Sequence, residues 1–230
     1  MRSILVVDIG GSAVKLMISA EGKRRKFPSG PKLRPNDAIA QIRELTRDWN
    51  YDAISIGFPA PVRDGKIVQD PKNLGKNWAG FNFEKALGKP VRVINDAALQ
   101  ALGSYHGGGR MLFLGLGTGL GSALIWQDHL LPLELGDLPY VDHAIIERVL
   151  GDAGLKRLGK KDWQRETLWT IKLLKQAFIA DYVVLGGGNA KLIKKLPGGF
   201  ELGHNRNVYP GGVRLWETDA ATKRPKWQIV

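Results

Sequence analysis

Short apolar runs separated by glycine turns recur along the chain, and their lengths predict buried strands. Ser3–Ile18 is an apolar run interrupted by DIGGS, which predicts two strands joined by a glycine turn. Met111–Ile125 repeats this arrangement around GLGTGLGS. Further strands are predicted near Arg24–Phe27 and at Ala53–Phe58, Val91–Ile94 and Tyr182–Leu185.

Helical spacing appears between these strands. Asn36–Trp49 carries apolar residues at helical intervals after an Asn-Asp pair suited to capping. Helices are also predicted for NDAALQALGSY, Val141–Leu150 and Trp163–Phe178, whereas the tail after Lys223 is predicted to be irregular. Strands that alternate with helices indicate an α/β architecture.

A glycine cluster at Gly107–Gly109 is the predicted boundary between two halves, residues 1–107 and 108–230. Each half opens with a strand, a glycine turn and a second strand. This repetition indicates a weak internal duplication.

Composition narrows the class of protein. The chain has 230 residues and is 43% hydrophobic, which suffices for one large domain or two smaller ones. No segment approaches the roughly 20 apolar residues of a membrane span, and the apolar start lacks a cleavage site, so neither membrane nor signal peptide is expected. The absence of cysteine excludes disulfides, thiolate nucleophiles and Cys-ligated zinc, and it fits a cytoplasmic setting.

The formal net charge of +12 favours anionic partners. Basic residues gather in Lys23–Lys26 and along Lys156–Lys195. No basic helix with interleaved aromatics, RNA-binding signature or zinc finger is present, so no specific nucleic-acid partner is expected. A basic polyanion-binding module stays open on charge alone, beside a plain solvated surface.

The first glycine turn, DIGGS, places the Asp8 carboxylate at the end of a buried strand. Amides freed by Gly10 and Gly11, with the Ser12 hydroxyl, suit phosphate oxygens. Asp8 suits a hydrated Mg²⁺ beside the same phosphate. An ordinary hairpin turn is the alternative.

The second glycine turn fails two familiar patterns. GLGTGLGS lacks the spacing of the dinucleotide fingerprint, and no GK pair before Ser or Thr makes a Walker loop. Gly117, Thr118, Gly119 and Gly121 nevertheless offer open amides and a hydroxyl that suit a phosphate. A β-bulge in the sheet core is the alternative.

Two further motifs follow strands. In IND, the Asp96 carboxylate suits the abstraction of a proton from a substrate hydroxyl that Asn95 orients, and plain helix capping is the alternative. GGGNA, from Gly186 to Ala190, suits either a nucleotide base or ribose or a tight chain reversal. The four histidines show no metal-ligand spacing.

Taken together and in order, these motifs resemble the sugar kinases of the ROK family (repressor, open reading frame, kinase), and in particular the polyphosphate-type glucokinase branch. The matching segments cover most of Ile4–Pro197 and are DIGGSAVK, GFPAPVRDGKI, NLGKNW, VRVINDAALQALG, LGLGTGLGSALIWQDHLLPLELGD and YVVLGGGNAKLIKKLP.

The resemblance implies two ribonuclease-H-like lobes, as in hexokinase and actin, around a cleft. It implies transfer of a phosphoryl group from ATP or polyphosphate, with Mg²⁺, to a hexose such as glucose, and Asp96 would be the catalytic base. Phosphate would be bound by Asp8, Gly10, Gly11, Ser12, Lys15, Gly117, Thr118, Gly119 and Gly121. Sugar would be bound by Asn73, Asn95, Asp96 and Glu134, and nucleotide by Gly186, Gly187, Gly188 and Asn189. A homodimer is also implied.

The chain departs from the family pattern near Glu134. Zinc-containing relatives carry a histidine and cysteines after this glutamate, whereas here Asp137 follows and cysteine is absent, so zinc is not expected. The polyphosphate-type branch keeps a histidine where Asp137 stands, which leaves sugar identity open. The chain also shows no clear long C-terminal helix to pack on the first lobe. A catalytically weak or inactive sugar-binding or regulatory protein is therefore the alternative function.

Overall fold

A computed structural model describes residues 2–141 and 144–230. Part of the helix predicted for Val141–Leu150 and one of the four histidines, His143, lie outside the described residues. In the remainder, the strands group into two larger sheets and one short hairpin.

The first sheet is built from the amino-terminal half of the chain. Its strands are β1 (Ile4–Ile9), β2 (Ala13–Ile18), β3 (Arg24–Pro28), β4 (Ala53–Phe58) and β7 (Val91–Asn95), and the short hairpin is β5 (Val62–Arg63) and β6 (Lys66–Ile67). The order across the sheet is β3-β2-β1-β4-β7. β1 and β4 are buried along their whole length, as their apolar sequences predict.

The second sheet is built from the carboxyl-terminal half. Its strands are β8 (Met111–Leu116), β9 (Leu120–Trp126), β10 (His129–Leu133), β11 (Tyr182–Gly186), β12 (Phe200–Leu202) and β13 (Gln228–Ile229). The order is β12-β11-β8-β9-β10-β13. The tail after Lys223, predicted to be irregular, therefore contains a strand, because β13 pairs with the edge of β10.

The two sheets share one topology. In the first, β1–β2 and β2–β3 are antiparallel, and β1–β4 and β4–β7 are parallel. In the second, β8–β9 and β9–β10 are antiparallel, and β8–β11 and β11–β12 are parallel. The internal duplication predicted from the two glycine turns is thus confirmed at the level of strand order. The division of the chain at Gly107–Gly109 remains a prediction.

The helices connect and cover the sheets. They are α1 (Pro35–Thr46), α2 (Phe83–Leu87), α3 (Asp96–Ser104), α4 (Ile146–Leu150), α5 (Asp152–Ala177) and α6 (Val208–Arg214). α1 begins with Pro35 and has no side-chain cap, so the predicted Asn-Asp cap is wrong. α5 starts earlier than predicted, at Asp152, and contains a non-helical break at Gly159. None of the described helices is long and apolar enough to cross a membrane.

α3 and α6 pack together in the core cluster that contains residues of both sheets. An added Cβ at Gly103 would overlap the carbonyl oxygen of Asn207, and one at Gly211 would overlap that of Leu99. Only glycine allows this approach of two backbones. The packing fixes α3, which carries Asp96 at its first turn.

The chain returns to the first sheet near its end. Ser55 on β4 donates from Oγ to the carbonyl oxygen of Gly212 over 2.6 Å, and Trp216 Nε1 donates to the same Oγ over 2.9 Å. The sequence shows no clear long helix for this role. The short α6 performs it, because α6 and the residues after it find partners on β4 and α3.

Candidate active site

A cavity of about 890 Å³ lies between the two sheets. Its walls come from the first turn of α3, the β8–β9 hairpin, the loop before α2, the turn after β10 and the start of α5. The sequence-predicted residues that line it are Gly11, Asn73, Asn95, Asp96, Gly117, Thr118, Gly119, Gly121, Glu134 and Gly187. Those that do not line it are Asp8, Gly10, Ser12, Lys15, Gly186, Gly188 and Asn189.

Asp96 lies at the start of α3, where the chain leaves β7. Burial raises the pKa of its carboxyl to about 7, and the negative charges of Asp8 and Glu134 act in the same direction. The N–H of Ala97 donates to Asp96 Oδ1 over 2.8 Å, which opposes the rise only in part. A carboxyl with a pKa close to neutrality is suited to accept a proton at physiological pH.

The first glycine turn joins β1 to β2 beside this carboxyl. Asp8 is almost completely buried and forms an ion pair with Lys15, in which Lys15 Nζ lies 2.8 Å from Asp8 Oδ2. Burial lowers the pKa of Lys15, but the ion pair outweighs it and raises the pKa on balance. An added Cβ at Gly11 would lie 3.1 Å from Asn73 Cβ, so Gly11 lets the loop that holds Asn73 pack on this turn.

The second glycine turn joins β8 to β9 on the opposite wall. The N–H of Asp152 donates to the carbonyl oxygens of Gly117 and Thr118, which fixes the turn against the start of α5. Within the described parts of the chain, the N–H groups of Thr118 and Gly119 donate to no protein acceptor. These amides are therefore available to a ligand in the cavity.

The predicted sugar-binding residues have different surroundings. Asn95 is buried and caps α3, since its Oδ1 accepts from the N–H groups of Ala97 and Ala98. The capping alternative is therefore correct for this oxygen, and within residues 2–141 and 144–230 the amide nitrogen of Asn95 donates to no protein acceptor. Burial raises the pKa of Glu134, and the charges of Asp137 and Glu147 add to the rise.

The third glycine motif follows β11. Gly186 is buried, and an added Cβ there would overlap the ring of Phe113. Gly187 has a φ of +82° and approaches the backbone of Leu116, which a side chain would prevent. Asn189 Nδ2 donates to Asp152 Oδ1 over 2.7 Å. Among the residues of this motif, Gly187 lines the cavity.

An ion cluster that sequence reasoning missed spans the cavity. Lys72 Nζ lies 3.1 Å from Asp137 Oδ1 and 3.3 Å from Glu147 Oε1. The Glu147 carboxylate also contacts Gly119, where an added Cβ would overlap Oε2. All four of these residues line the cavity. The only sequence signal was that Lys72 directly precedes the motif NLGKNW, which begins at Asn73.

Charge and metal-binding capacity complete the description of the cavity. Arg148 and Lys156 add positive charge to its wall at the start of the helical region. Among residues 2–141 and 144–230, no group of three or more His, Cys, Asp or Glu side chains is arranged to hold a metal ion.

The sequence profile of the ROK family matches residues 4–148, which is more than half of the chain. The chain belongs to the ROK family. The family and the α/β fold with two related lobes, both predicted from the sequence motifs, are confirmed by this match and by the structures of ROK sugar kinases that share the fold.

Curated relatives are sugar kinases. A glucokinase of Pyrobaculum calidifontis is 26% identical over 64% of this chain, and a polyphosphate glucokinase of Mycobacterium leprae is 26% identical over 79%. The chain spans 51% and 62% of these two proteins. A solved structure, the inorganic polyphosphate/ATP-glucomannokinase of Arthrobacter sp. strain KM, is 23% identical, with a TM-score of 0.78, over 92% of this chain and 96% of its own.

Proposed function

We propose that this protein is a sugar kinase that transfers a phosphoryl group to a hexose hydroxyl, converting glucose to glucose 6-phosphate. The observation that carries the proposal is the Asp96 carboxyl, whose pKa is about 7, in a cavity that also receives the open amides of Thr118 and Gly119. A base for the acceptor and donors for a phosphate thus face one space. Kinase relatives support the same reaction.

In this reaction the sugar hydroxyl oxygen attacks the terminal phosphorus of the donor, and its proton passes to an Asp96 carboxylate oxygen. The bond from that phosphorus to the bridging oxygen breaks, and the shortened donor leaves with the electron pair. Asn73, Asn95 and Glu134 would hold the sugar. Gly117 and Thr118 belong to the turn that would hold the phosphate. Positioning and charge stabilisation provide most of the catalysis in such transfers.

The protein groups suit a Mg²⁺ ion that is bound mainly through water and phosphate. Asp8 would hold it only through water, because its buried carboxylate does not line the cavity and its Oδ2 is paired with Lys15. Bound there with the donor, the ion would neutralise phosphate charge during transfer. No dedicated cage of protein ligands is needed for this role.

The donor is proposed to be ATP, polyphosphate or both. Polyphosphate is a linear polyanion, and Arg148 and Lys156 on the cavity wall are cations that suit it. Gly187 would lie beside a nucleotide, with Asn189 close by. We also propose a cytoplasmic setting, consistent with the absence of cysteine, and a homodimer.

A direct comparison of donors on one preparation tests this proposal. We expect a hexose panel, assayed with ATP and with polyphosphate in the presence of Mg²⁺, to give a phosphorylated sugar with at least one donor. The product can be identified by mass and by its coupled oxidation if it is glucose 6-phosphate. Failure of every hexose with both donors would reject the kinase proposal.

The pH dependence provides a second prediction. Because Asp96 accepts a proton only when ionised, kcat/KM should rise as the pH increases through about 7 and then level off. Replacement of Glu134 by glutamine removes a charge that raises this pKa, so the midpoint should move to lower pH even if activity falls. A flat profile through the neutral range would contradict the role of Asp96 as base.

The second candidate function is a catalytically weak or inactive sugar-binding or regulatory protein. The observation that favours it is the ion pair between Lys72 and Asp137, at the position where the resemblance to the polyphosphate branch implies a histidine. Thermal stabilisation by a hexose without turnover would support this candidate. Product formation with a kcat of about 1–100 s⁻¹, the range usual for kinases, would exclude it.

A further inference from the structure

Lys72 connects the two walls of the cavity. It belongs to the loop before α2, whose neighbours Leu74 and Trp78 are buried in the core of the first sheet. Its two partners belong to the carboxyl-terminal half of the chain, Asp137 to the short 3₁₀ turn after β10 and Glu147 to α4. The contacts join residues 65 and 75 positions apart in the chain.

Lys72 and its two partners lie next to proposed binding groups on both walls. Asn73 follows Lys72 directly, and Glu134 lies at the start of the turn that contains Asp137. The Glu147 carboxylate contacts Gly119 in the second glycine turn. One ammonium group therefore links the proposed sugar-binding residues of both walls and the proposed phosphate turn.

The charge balance depends on the same ammonium. Asp137, Glu147 and Glu134 are three carboxylates on one wall, and the positive charge of Lys72 opposes the rise in the pKa of Glu134. Burial alone lowers the pKa of Lys72, but its bonds and charge interactions with Asp137 and Glu147 raise it on balance, so the group stays charged. Without Lys72 the three carboxylates on this wall of the cavity would repel one another.

We propose that Lys72 is a positioning residue that holds the two lobes together across the cavity. It thereby keeps Asn73 and Glu134, on opposite walls, at the distance at which both can bind the acceptor sugar. The acceptor part of this proposal rests on the proposed kinase function. The part that concerns the lobes does not, because the ion cluster is a property of the folded chain without substrate.

The distance between the lobes tests the proposal without any substrate. The chain has no cysteine, so Ala40→Cys on α1 and Lys172→Cys on α5 introduce the only two sites for spin labels. Electron–electron dipolar spectroscopy then gives the distribution of distances. In Lys72→Met we expect the population at longer distances to grow roughly three- to tenfold, as befits two exposed ion pairs. Lys72→Arg should keep the original distribution.

Matched variants distinguish the loss of the Lys72 ion pairs from a general loss of positive charge. Lys76 lies in the same loop, is exposed and forms no ion pair within the described residues, so Lys76→Met should leave the distances unchanged. Lys72→Glu turns both contacts, to Asp137 and to Glu147, into repulsions, so the longer distances should be more populated than in Lys72→Met. A purely structural role of the lysine side chain would not predict this order. Identical distributions in Lys72→Met and the unsubstituted chain would overturn the proposal.

Kinetics test the acceptor part. Lys72→Met should raise KM for the hexose by roughly three- to tenfold, with a smaller change in kcat, and Lys72→Arg should leave KM close to its original value. An unchanged KM for the hexose would overturn the positioning role even if the distances move. If the unsubstituted chain phosphorylates no hexose, the kinase proposal fails, while the spin-label distances still decide whether Lys72 ties the lobes.

Discussion

Replacing Asp96 by asparagine is expected to lower kcat by about 10²–10⁴-fold, because an amide cannot accept the proton of the attacking hydroxyl. The substitution keeps the size of the side chain, and asparagine is well tolerated at the beginning of a helix. Hexose binding, measured by calorimetry, should therefore survive. The measurement is kcat with saturating hexose and donor, and a value within a few-fold of the unsubstituted enzyme would refute the assignment.

Two controls separate loss of the base from damage to the fold. Asp64→Asn removes an exposed carboxylate outside the cavity, at a φ of +51° that asparagine adopts readily, and should leave kcat unchanged.

For Asp96 itself, the folded-state pKa lies above the ordinary value of 3.8, so the folded state retains a proton that the unfolded chain releases. The unsubstituted protein should thus lose stability as the pH rises from about 4 to about 7, and this loss should be smaller in Asp96→Asn, where the raised pKa of Glu134 still contributes.

The second large effect is expected on stability, at Gly103. An added Cβ there would overlap the carbonyl oxygen of Asn207 and lie 2.7 Å from the backbone nitrogen of Gly211. Backbone atoms cannot rotate away as a side chain can, so Gly103→Ala should separate α3 from α6. We expect a loss of about 1–3 kcal/mol or more in the free energy of unfolding, measured with urea.

Helix propensity predicts the opposite sign for this substitution. Alanine in a helix is favoured over glycine by about 1 kcal/mol, which is smaller than the cost of the overlap. Gly198 offers a matched control, since it is exposed and an added Cβ there meets no atom within 4 Å. Gly198→Ala should change stability little. Equal stability of Gly103→Ala and the unsubstituted protein would show that α3 and α6 do not need their close contact.

Much of the strand framework was predictable because buried strands are short apolar runs. The bounds of Ala53–Phe58 agree with β4, and Val91–Ile94 differs from β7 by one residue. α6 escaped prediction because VYPGGVR contains proline and two glycines, residues that disfavour a helix on local grounds. Its stability comes from packing on α3, where the same glycines permit close contact. Such a tertiary cause leaves no periodic signal in the sequence.

The candidate site was predictable only where its chemistry lies in contiguous motifs. The two glycine turns and Asp96 stand out in the sequence, and the structure brings Gly11, Thr118 and Asp96 to one cavity. Lys72 and Glu147 could not be found this way, because an ion pair between residues 75 positions apart depends on the fold. Whether Asp8 and Lys15 act on phosphate, as the resemblance implies, remains a prediction.

The contact between α3 and the segment 208–216 also has a consequence for the order of folding on the ribosome. Ser55 and Trp216 are bonded across 161 residues, and α3 gains its glycine-lined partner from that late segment. A nascent chain that has passed β7 can form the first sheet, but its helix α3 still lacks one neighbour. The Asp96 carboxyl, at the first turn of α3, therefore gains its full set of packing neighbours only after almost the whole polypeptide has been made, and a chain arrested before residue 208 would lack the contact that fixes α3.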